Sequence, residues 1–310
     1  MKYFLISLFL AIVAVAQPYP KLQYMGGPVM NHGLTVYVIW YGDWTSSGAS
    51  AAIPVIENFY RGFGTTPRSL MTQRLADSTG LHVSAPTFGA SVYDAAASQG
   101  TTLTYSGSTS SIQTIINYHI VNGDLTVNEN AIYAVMMGQN VVFAANCNCQ
   151  AIHDNYVRSG KNLKWTASLF ASYATINSNF TTFNGIAKAS GTYLNSEPIS
   201  MQIISGAMHE LEEAATDPQS LTAGWGGGLN EIDDHCSFNF AGTYIGSDSN
   251  GVSYNVRIGS YLYLLQPQQL NTGPTSNCYM SLPSPMNWVP AGPSSRTRGV
   301  VKVRGQGGIR

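Results

Sequence analysis

The chain has 310 residues, of which only 10 % are charged, and its formal net charge is −1 at pH 7. A composition this close to neutral gives no argument for nucleic-acid binding. The length is sufficient for one large domain or two small ones.

The first 16 residues have the features of a secretory signal. Lys2 supplies a positive start, residues 3–15 form an apolar segment, and Ala14-Val15-Ala16 is a small-x-small cleavage site. The apolar segment is too short to span a bilayer, and no later stretch reaches the roughly 20 apolar residues that a span needs. The sequence therefore predicts a secreted, extracellular protein with no transmembrane segment.

The chain then alternates between strand and helix patterns. Apolar runs rich in β-branched and aromatic residues predict buried strands at 34–44, 131–137 and 141–143. Helical periodicity predicts helices at 51–63 and 110–120. Short strands between Gly and Asn turns, at 243–245, 252–256 and 261–265, predict a C-terminal β meander. We therefore expect residues 17–282 to form a single α/β domain with a mixed sheet and packed helices.

A further helix, which includes Met201 to Ala215 and stops before Asp217, carries an unusual pattern. Its apolar residues recur at steps of three and four: Met201, Ile204, Met208, Leu211 and Ala215. At about 100° per residue, His209 and Glu213 fall near the middle of the opposite face, with Glu210 beside them. Pro218 pushes Asp217 out of the helical region and so ends the helix.

Negative charge is concentrated in this helix and in the loop after it. Seven of the 16 acidic residues lie between positions 210 and 234: Glu210, Glu212, Glu213, Asp217, Glu231, Asp233 and Asp234. No Lys or Arg occurs from Ala189 to Val256. Carboxylates this close together, without basic neighbours in sequence, must be hydrated, be protonated, or surround a cation. We interpret them as a cation site; the alternative is a solvated acidic face followed by an acidic loop.

The spacing of these residues is typical of metal ligands. His209 and Glu213 stand at i and i+4, as the two histidines do in the His-Glu-x-x-His zinc motif, and Glu210 occupies the position of the general base. Glu231 is the predicted third ligand. One imidazole with two carboxylates favours Zn²⁺, with Mn²⁺ or Fe²⁺ as alternatives, over Ca²⁺.

The segment that follows Glu231 contains two further candidate residues. Asp234 and His235 are predicted to orient a ligand from the second coordination shell, and either is an alternative to Glu231 as the third ligand.

The four cysteines allow three pairings: Cys147, Cys149, Cys236 and Cys278. In one of them, a Cys236–Cys278 bridge would join the acidic loop to the C-terminal strands and leave a tight local bridge between the other two. Export favours disulfides over free thiols. A metal site formed by the Cys-x-Cys pair with His153 is the alternative.

Two further features fit an exported protein. Asn179 begins an Asn-Phe-Thr sequon and is a candidate glycosylation site. Residues 283–310 are rich in Pro and basic residues and contain no acidic residue, which predicts a flexible basic tail. Such a tail is either simply solvated or touches acidic polysaccharide or a membrane surface.

Four ordered blocks resemble the EXORDIUM / phosphate-induced protein family of secreted proteins. They are Tyr24 with Gly26-Gly27-Pro28-Val29, Val38-Ile39-Trp40-Tyr41-Gly42, the segment from His209-Glu210 through Glu213 to Thr216-Asp217-Pro218, and Glu231-Ile232-x-Asp234-x-Cys236. Tyr244, Tyr254-Asn255 and Cys278 continue the similarity, which covers residues 24–278. Ser69-Leu70-Met71 stands where the family usually has a paired-Trp segment, and Cys147-Asn148-Cys149 is more closely spaced than the family's cysteines. The resemblance implies an extracellular protein, linked in plants to growth and nutrient responses.

Two functional hypotheses follow from these residues. The first is a zincin-like, zinc-dependent hydrolase acting on peptides, in which the ion activates water and Glu210 accepts its proton. The second is a non-catalytic extracellular protein that binds cell-wall polysaccharide or signals, with a structural metal. A serine nucleophile is disfavoured because Ser205-Gly206 lies inside the predicted helix and forms no Gly-x-Ser-x-Gly turn. The sequence does not determine the oligomeric state.

Overall fold

A computed structural model describes residues 19, 21–45, 48–105, 110–144, 150–170, 193–219, 224–226, 231–237, 240, 243–272 and 275–283. The predicted signal, Cys147, Cys149, Asn179 and nearly all of the basic tail lie outside these residues. No helix in the described part of the chain is long and apolar enough to cross a membrane.

The elements alternate as the sequence predicts. The helices are α1 Ala49–Gly62, α2 Pro67–Thr72, α3 Ser111–Val121 and α4 Pro198–Thr216. The strands of the first part of the chain are β1 Thr35–Tyr41, β2 Thr87–Asp94, β3 Thr102–Thr104, β4 Ala131–Met137, β5 Val142–Ala144, β6 Ala151–Arg158 and β7 Lys161–Ser168. The C-terminal strands are β8 Gly246–Ser247, β9 Ser253–Tyr254, β10 Val256–Ile258, β11 Tyr261–Tyr263, β12 Gln268–Thr272 and β13 Thr275–Tyr279.

A five-stranded mixed sheet forms the centre of the fold, in the order β2-β1-β4-β7-β6. Its first four strands are parallel, and β6 pairs with β7 in the antiparallel direction. Val38 and Trp40 of β1 face the core that contains α1 and α4, whereas Ile39 and Tyr41 face the core that contains α3. The prediction of an α/β fold with a mixed sheet and packed helices is confirmed.

The C-terminal part differs in detail from a continuous meander. The six strands pair as three separate antiparallel hairpins, β8–β9, β10–β11 and β12–β13. A disulfide between Cys236 and Cys278 joins β13 to a short 3-10 turn at Asp234–Cys236. The sequence left three pairings open, and the structure contains the one in which the bridge links the acidic loop to the C-terminal strands.

Two local features bring α4 against the edge of the sheet. Ser159 and Gly160 both have positive φ, and they turn the chain from β6 into β7 as a tight hairpin requires. On α4, a Cβ added at Gly206 would lie 3.3 Å from the Cβ of Ala151 in β6. Glycine at this position therefore lets the helix approach the edge strand closely. His153, two residues after Ala151, consequently lies beside the helix.

The N-terminus of α4 is held by its own sequence. The Glu197 carboxylate accepts hydrogen bonds from the backbone N–H groups of Ile199 and Ser200, each at 2.7 Å, and Pro198 occupies the first helical position. Burial raises the pKa of Glu197, and the hydrogen bonds around Ser200 and Ile199 oppose that rise. The helix ends at Thr216, one residue before Asp217, as expected from Pro218.

Candidate metal centre

The acidic half of α4 is buried. Side-chain exposure is 14 % for His209 and 2 % for Glu213, and Glu210 and Glu212 are also buried. The Nε2 atom of His209 lies 3.0 Å from the Oε2 atom of Glu213, one helical turn away. Burial excludes the alternative of a solvated acidic face, because these carboxylates face protein groups.

The turn that follows α4 supplies a third group to this pair. Asp234 Oδ1 lies 3.7 Å from His209 Nε2. The backbone N–H of Asp233 donates to Glu213 Oε1 at 3.3 Å, and the N–H of Glu231 donates to Asp234 Oδ2 at 2.8 Å. His209, Glu213 and Asp234 therefore offer three ligand atoms, all within 4.8 Å of one another.

A second group forms on the other side of Glu213, around a histidine of strand β6. His153 Nδ1 lies 2.8 Å from Glu210 Oε2 and 3.8 Å from Glu213 Oε2. Its Nε2 lies 3.6 Å from Glu231 Oε1. His153, Glu210 and Glu213 again place three possible ligand atoms within 4.8 Å of one another. Glu231 belongs to neither group of three.

The charges in this cluster shift the pKa values of its members. Burial raises the pKa of Glu213 to about 8; His209 opposes this shift, and the negative charges of Glu210 and Glu231 add to it. Burial disfavours the imidazolium form of both histidines, but nearby carboxylates outweigh it. The pKa of His153 is held well above its usual value by Glu210 and Glu231, and that of His209 by Glu213, Glu210 and Asp233. Protons on the two histidines and on Glu213 therefore offset part of the negative charge of the cluster.

Two acidic residues of the same segment belong to a separate ion-pair network. The fully buried guanidinium of Arg68, on α2, lies 2.5 Å from Glu212 Oε2 and 2.7 Å from Asp233 Oδ1. Thr72, one turn later on α2, donates to Glu212 Oε1 at 2.5 Å. A base distant in sequence therefore neutralises part of the negative charge. Inspection of residues 189–256 alone does not detect this pairing.

Gln266 sets the orientation of the His209 ring. Its amide nitrogen lies 2.8 Å from His209 Nδ1 and donates to the carbonyl of Asp233 at 3.3 Å. In a neutral ring whose Nδ1 accepts from this amide, the single ring proton lies on Nε2 and faces Glu213; a doubly protonated ring instead needs the amide oxygen at Nδ1. An ion bound at Nε2 requires the proton on Nδ1 instead, so the Gln266 amide would turn to present its oxygen.

The spacing of the first group fits a metal ion. Two atoms bound to one tetrahedral Zn²⁺ at about 2.1 Å lie about 3.4 Å apart. The separations of 3.0 and 3.7 Å from His209 Nε2 lie on either side of that value. One imidazole nitrogen and two carboxylate oxygens suit Zn²⁺, Mn²⁺ or Fe²⁺.

Some of the predicted site residues lie together at His209, and the others make different contacts. His209 and Glu213 come together as the i, i+4 spacing predicts, and Asp234 lies beside them. Glu231 instead faces the far ring nitrogen of His153, and the ring of His235 stacks on Tyr19 with 5.3 Å between centroids.

Glu210 contacts His153, a residue that the sequence associated with the Cys-x-Cys pair. The Ser159-Gly160 turn signal marks the β6–β7 hairpin. It was the one sequence feature that could have indicated that His153 lies on a strand.

Comparisons of the chain with protein-family models, with curated proteins and with solved structures found no match. Interpretation of the site therefore depends on its geometry.

Proposed function

We propose that this chain is a secreted, EXORDIUM-like metalloprotein that binds one divalent ion through His209, Glu213 and Asp234. Zn²⁺ is the first candidate for that ion. We further propose that the ion serves peptidase-like hydrolysis. Asp234 takes the place that the sequence pattern assigned to Glu231 because its Oδ1 is the carboxylate oxygen of the turn that faces His209.

The observation that carries the proposal is the buried pair of Glu213 and His209, with Asp234 at its open side. Asp234 is about one-third exposed, whereas Glu213 is almost fully buried. An ionised carboxylate in such a place needs a nearby positive charge in addition to its hydrogen bond from the Asp233 N–H. Arg68 is already engaged with Glu212 and Asp233. A divalent ion at His209 Nε2 supplies the missing charge, and the exposed side of Asp234 leaves a path for solvent.

The chain's own residues have distinct roles in the proposed reaction. A bound ion supplies Lewis acidity, which lowers the pKa of a bound water from 15.7 toward about 7. Glu210 is the adjacent carboxylate that accepts the proton of the attacking water. His153 holds Glu210 in place through the 2.8 Å contact between Nδ1 and Oε2. Gln266 and the Asp233 backbone position His209 and Glu213.

One observation favours the second hypothesis, a structural ion in a non-catalytic extracellular protein. Burial disfavours the charged form of Glu210, but the hydrogen bond and charge of His153, together with His209, hold its pKa below the ordinary value. A carboxylate with a lowered pKa is a weaker proton acceptor. In that case the ion would only tie α4 to the acidic turn.

The test separates these two functions. Purified protein loaded with Zn²⁺ and freed of excess should retain the metal by elemental analysis, and His209→Ala should lose it, whereas the exposed His32→Ala should not. Hydrolysis of a mixed peptide library, read by mass spectrometry, is then compared for wild type and Glu210→Gln. Loss of cleavage in Glu210→Gln supports the enzyme, provided that the variant keeps the ion that His209→Ala loses and keeps the wild-type melting temperature. Equal cleavage in both proteins, or none in wild type, refutes it.

A further inference from the structure

The two groups of possible ligands share one oxygen atom. Glu213 Oε2 lies 3.0 Å from His209 Nε2 on one side and 3.8 Å from His153 Nδ1 on the other. The second oxygen, Oε1, accepts the backbone N–H of Asp233. Glu213 therefore directs a single carboxylate oxygen toward both histidines, in the position that a bridging ligand between two ions occupies.

His153 is oriented as a metal-binding histidine is. Such residues bind through one ring nitrogen and donate the N–H of the other to a carboxylate. Here Nδ1 faces Glu210 and Glu213, and Nε2 faces Glu231 Oε1 at 3.6 Å. Both His153 Nε2 and Glu231 Oε1 are buried and have no hydrogen-bond partner among the described residues. A proton fixed on Nε2 would satisfy both atoms after a shift of less than about 1 Å.

The charge balance points the same way. Glu210, Glu213, Glu231 and Asp234 bring four negative charges when ionised, and none of the four pairs with Arg68. With both histidines neutral, one divalent ion leaves two of these charges uncompensated in a largely buried site, which is unfavourable at low dielectric. Two divalent ions and two neutral histidines bring the total to zero.

We propose that the site holds a second divalent ion, bound by His153 Nδ1, Glu210 Oε2 and Glu213 Oε2, so that Glu213 bridges two ions. This inference rests on the proposed function, because the first ion remains at His209 and Asp234. The second ion takes the place of the proton shared by His153 and Glu210. Glu210 binds through Oε2 only, and its Oε1 stays available to accept a proton. Paired ions about 3.5–4 Å apart occur in aminopeptidases and phosphatases, where they stabilise both the attacking and the leaving oxygen.

The experiment counts ions. Metal-free full-length protein is titrated with Co²⁺ and followed by visible absorption and by paramagnetic resonance. We expect a break at two equivalents in wild type, with the resonance signal per ion falling as the second equivalent binds because bridged ions couple magnetically. His153→Ala should break at one equivalent with an uncoupled signal, and the exposed His32→Ala should behave as wild type.

The outcomes distinguish this inference from the proposed function. A single equivalent in both wild type and His153→Ala overturns the second ion and leaves the first intact. No binding in wild type overturns both. Two equivalents with uncoupled signals overturn the bridge by Glu213. Should His153→Ala fail to fold, the wild-type titration and its coupling still decide the question.

Discussion

Replacing Glu213 by Gln should stabilise the metal-free protein while abolishing its response to metal. Burial raises the pKa of Glu213 to about 8, against an ordinary value of 4.5. A carboxyl whose folded-state pKa is raised contributes stability that is complete below pH 4.5 and is lost as the pH rises toward 8. The loss is about 1.4 kcal/mol per pH unit, so about 3 kcal/mol is gone at pH 7 and under about 1 kcal/mol at pH 5.

Glutamine never ionises, and it keeps this contribution at every pH. We therefore expect metal-free Glu213→Gln to be more stable than wild type by up to about 3 kcal/mol at pH 7, and by much less at pH 5. Wild type should in turn gain about 2.7 kcal/mol from Zn²⁺ at 100 times its dissociation constant, whereas the variant should gain nothing. The assay is urea unfolding followed by tryptophan fluorescence, at both pH values, with chelator or with Zn²⁺.

The adjacent residue provides the matched control. Glu212 is as deeply buried as Glu213, but it pairs with Arg68 and accepts from Thr72. Glu212→Gln breaks a buried ion pair and should destabilise by about 3–5 kcal/mol, with or without metal. If metal-free Glu213→Gln is destabilised at pH 7 to the same degree as Glu212→Gln, the reasoning about uncompensated charge is wrong.

Three further predictions concern His209, the Arg68 network and the disulfide. Zn²⁺ affinity should rise about tenfold per pH unit for each proton displaced, because carboxylates hold the pKa of His209 above its usual value and the metal must displace that proton. A calorimetric affinity that is constant between pH 6 and 8 would contradict this. Arg68→Met should lower the free energy of unfolding by about 3–5 kcal/mol. Arg61→Met should lower it by about 1 kcal/mol or less, because the Arg61 side chain is mostly exposed and contacts Glu57 and the Phe88 ring; equal losses in urea unfolding would refute the buried network. Replacing Cys236 and Cys278 together by Ser should cost about 4 kcal/mol, since their bridge closes a separation of 42 residues; an unchanged melting temperature would argue against that closure.

The central elements were predictable because their signals are local. The strand at 131–137 has apolar residues at every position, and it coincides with β4, which is buried on both faces. The helix that ends before Pro218 was visible from its period and its stop signal. The order of strands in the sheet was not visible, since parallel pairing joins segments separated by whole helices. The β6–β7 hairpin was missed because its residues mix polar and apolar types without clean alternation.

The candidate site was likewise predictable only where its residues are close in sequence. The spacing of His209 and Glu213 specifies their proximity, because residues four apart on a helix share a face. His153 and Arg68 carry no such signal: they stand 57 and 144 positions away from Glu210 and Glu212, respectively.

By itself the sequence determined an α/β chain with an acidic helix and an imidazole one turn from a carboxylate, because helical period and charge composition are properties of neighbouring residues. Burial of that acidic helix became known only from the structure. Only the tertiary structure decided that Asp234 rather than Glu231 lies beside His209, since the direction of each side chain depends on how the disulfide-linked turn packs against α4. It also decided that Arg68 neutralises one part of the acidic segment and that His153 faces another. Those pairings join distant segments, and they exist only after α2, α4 and the edge strand β6 have packed together.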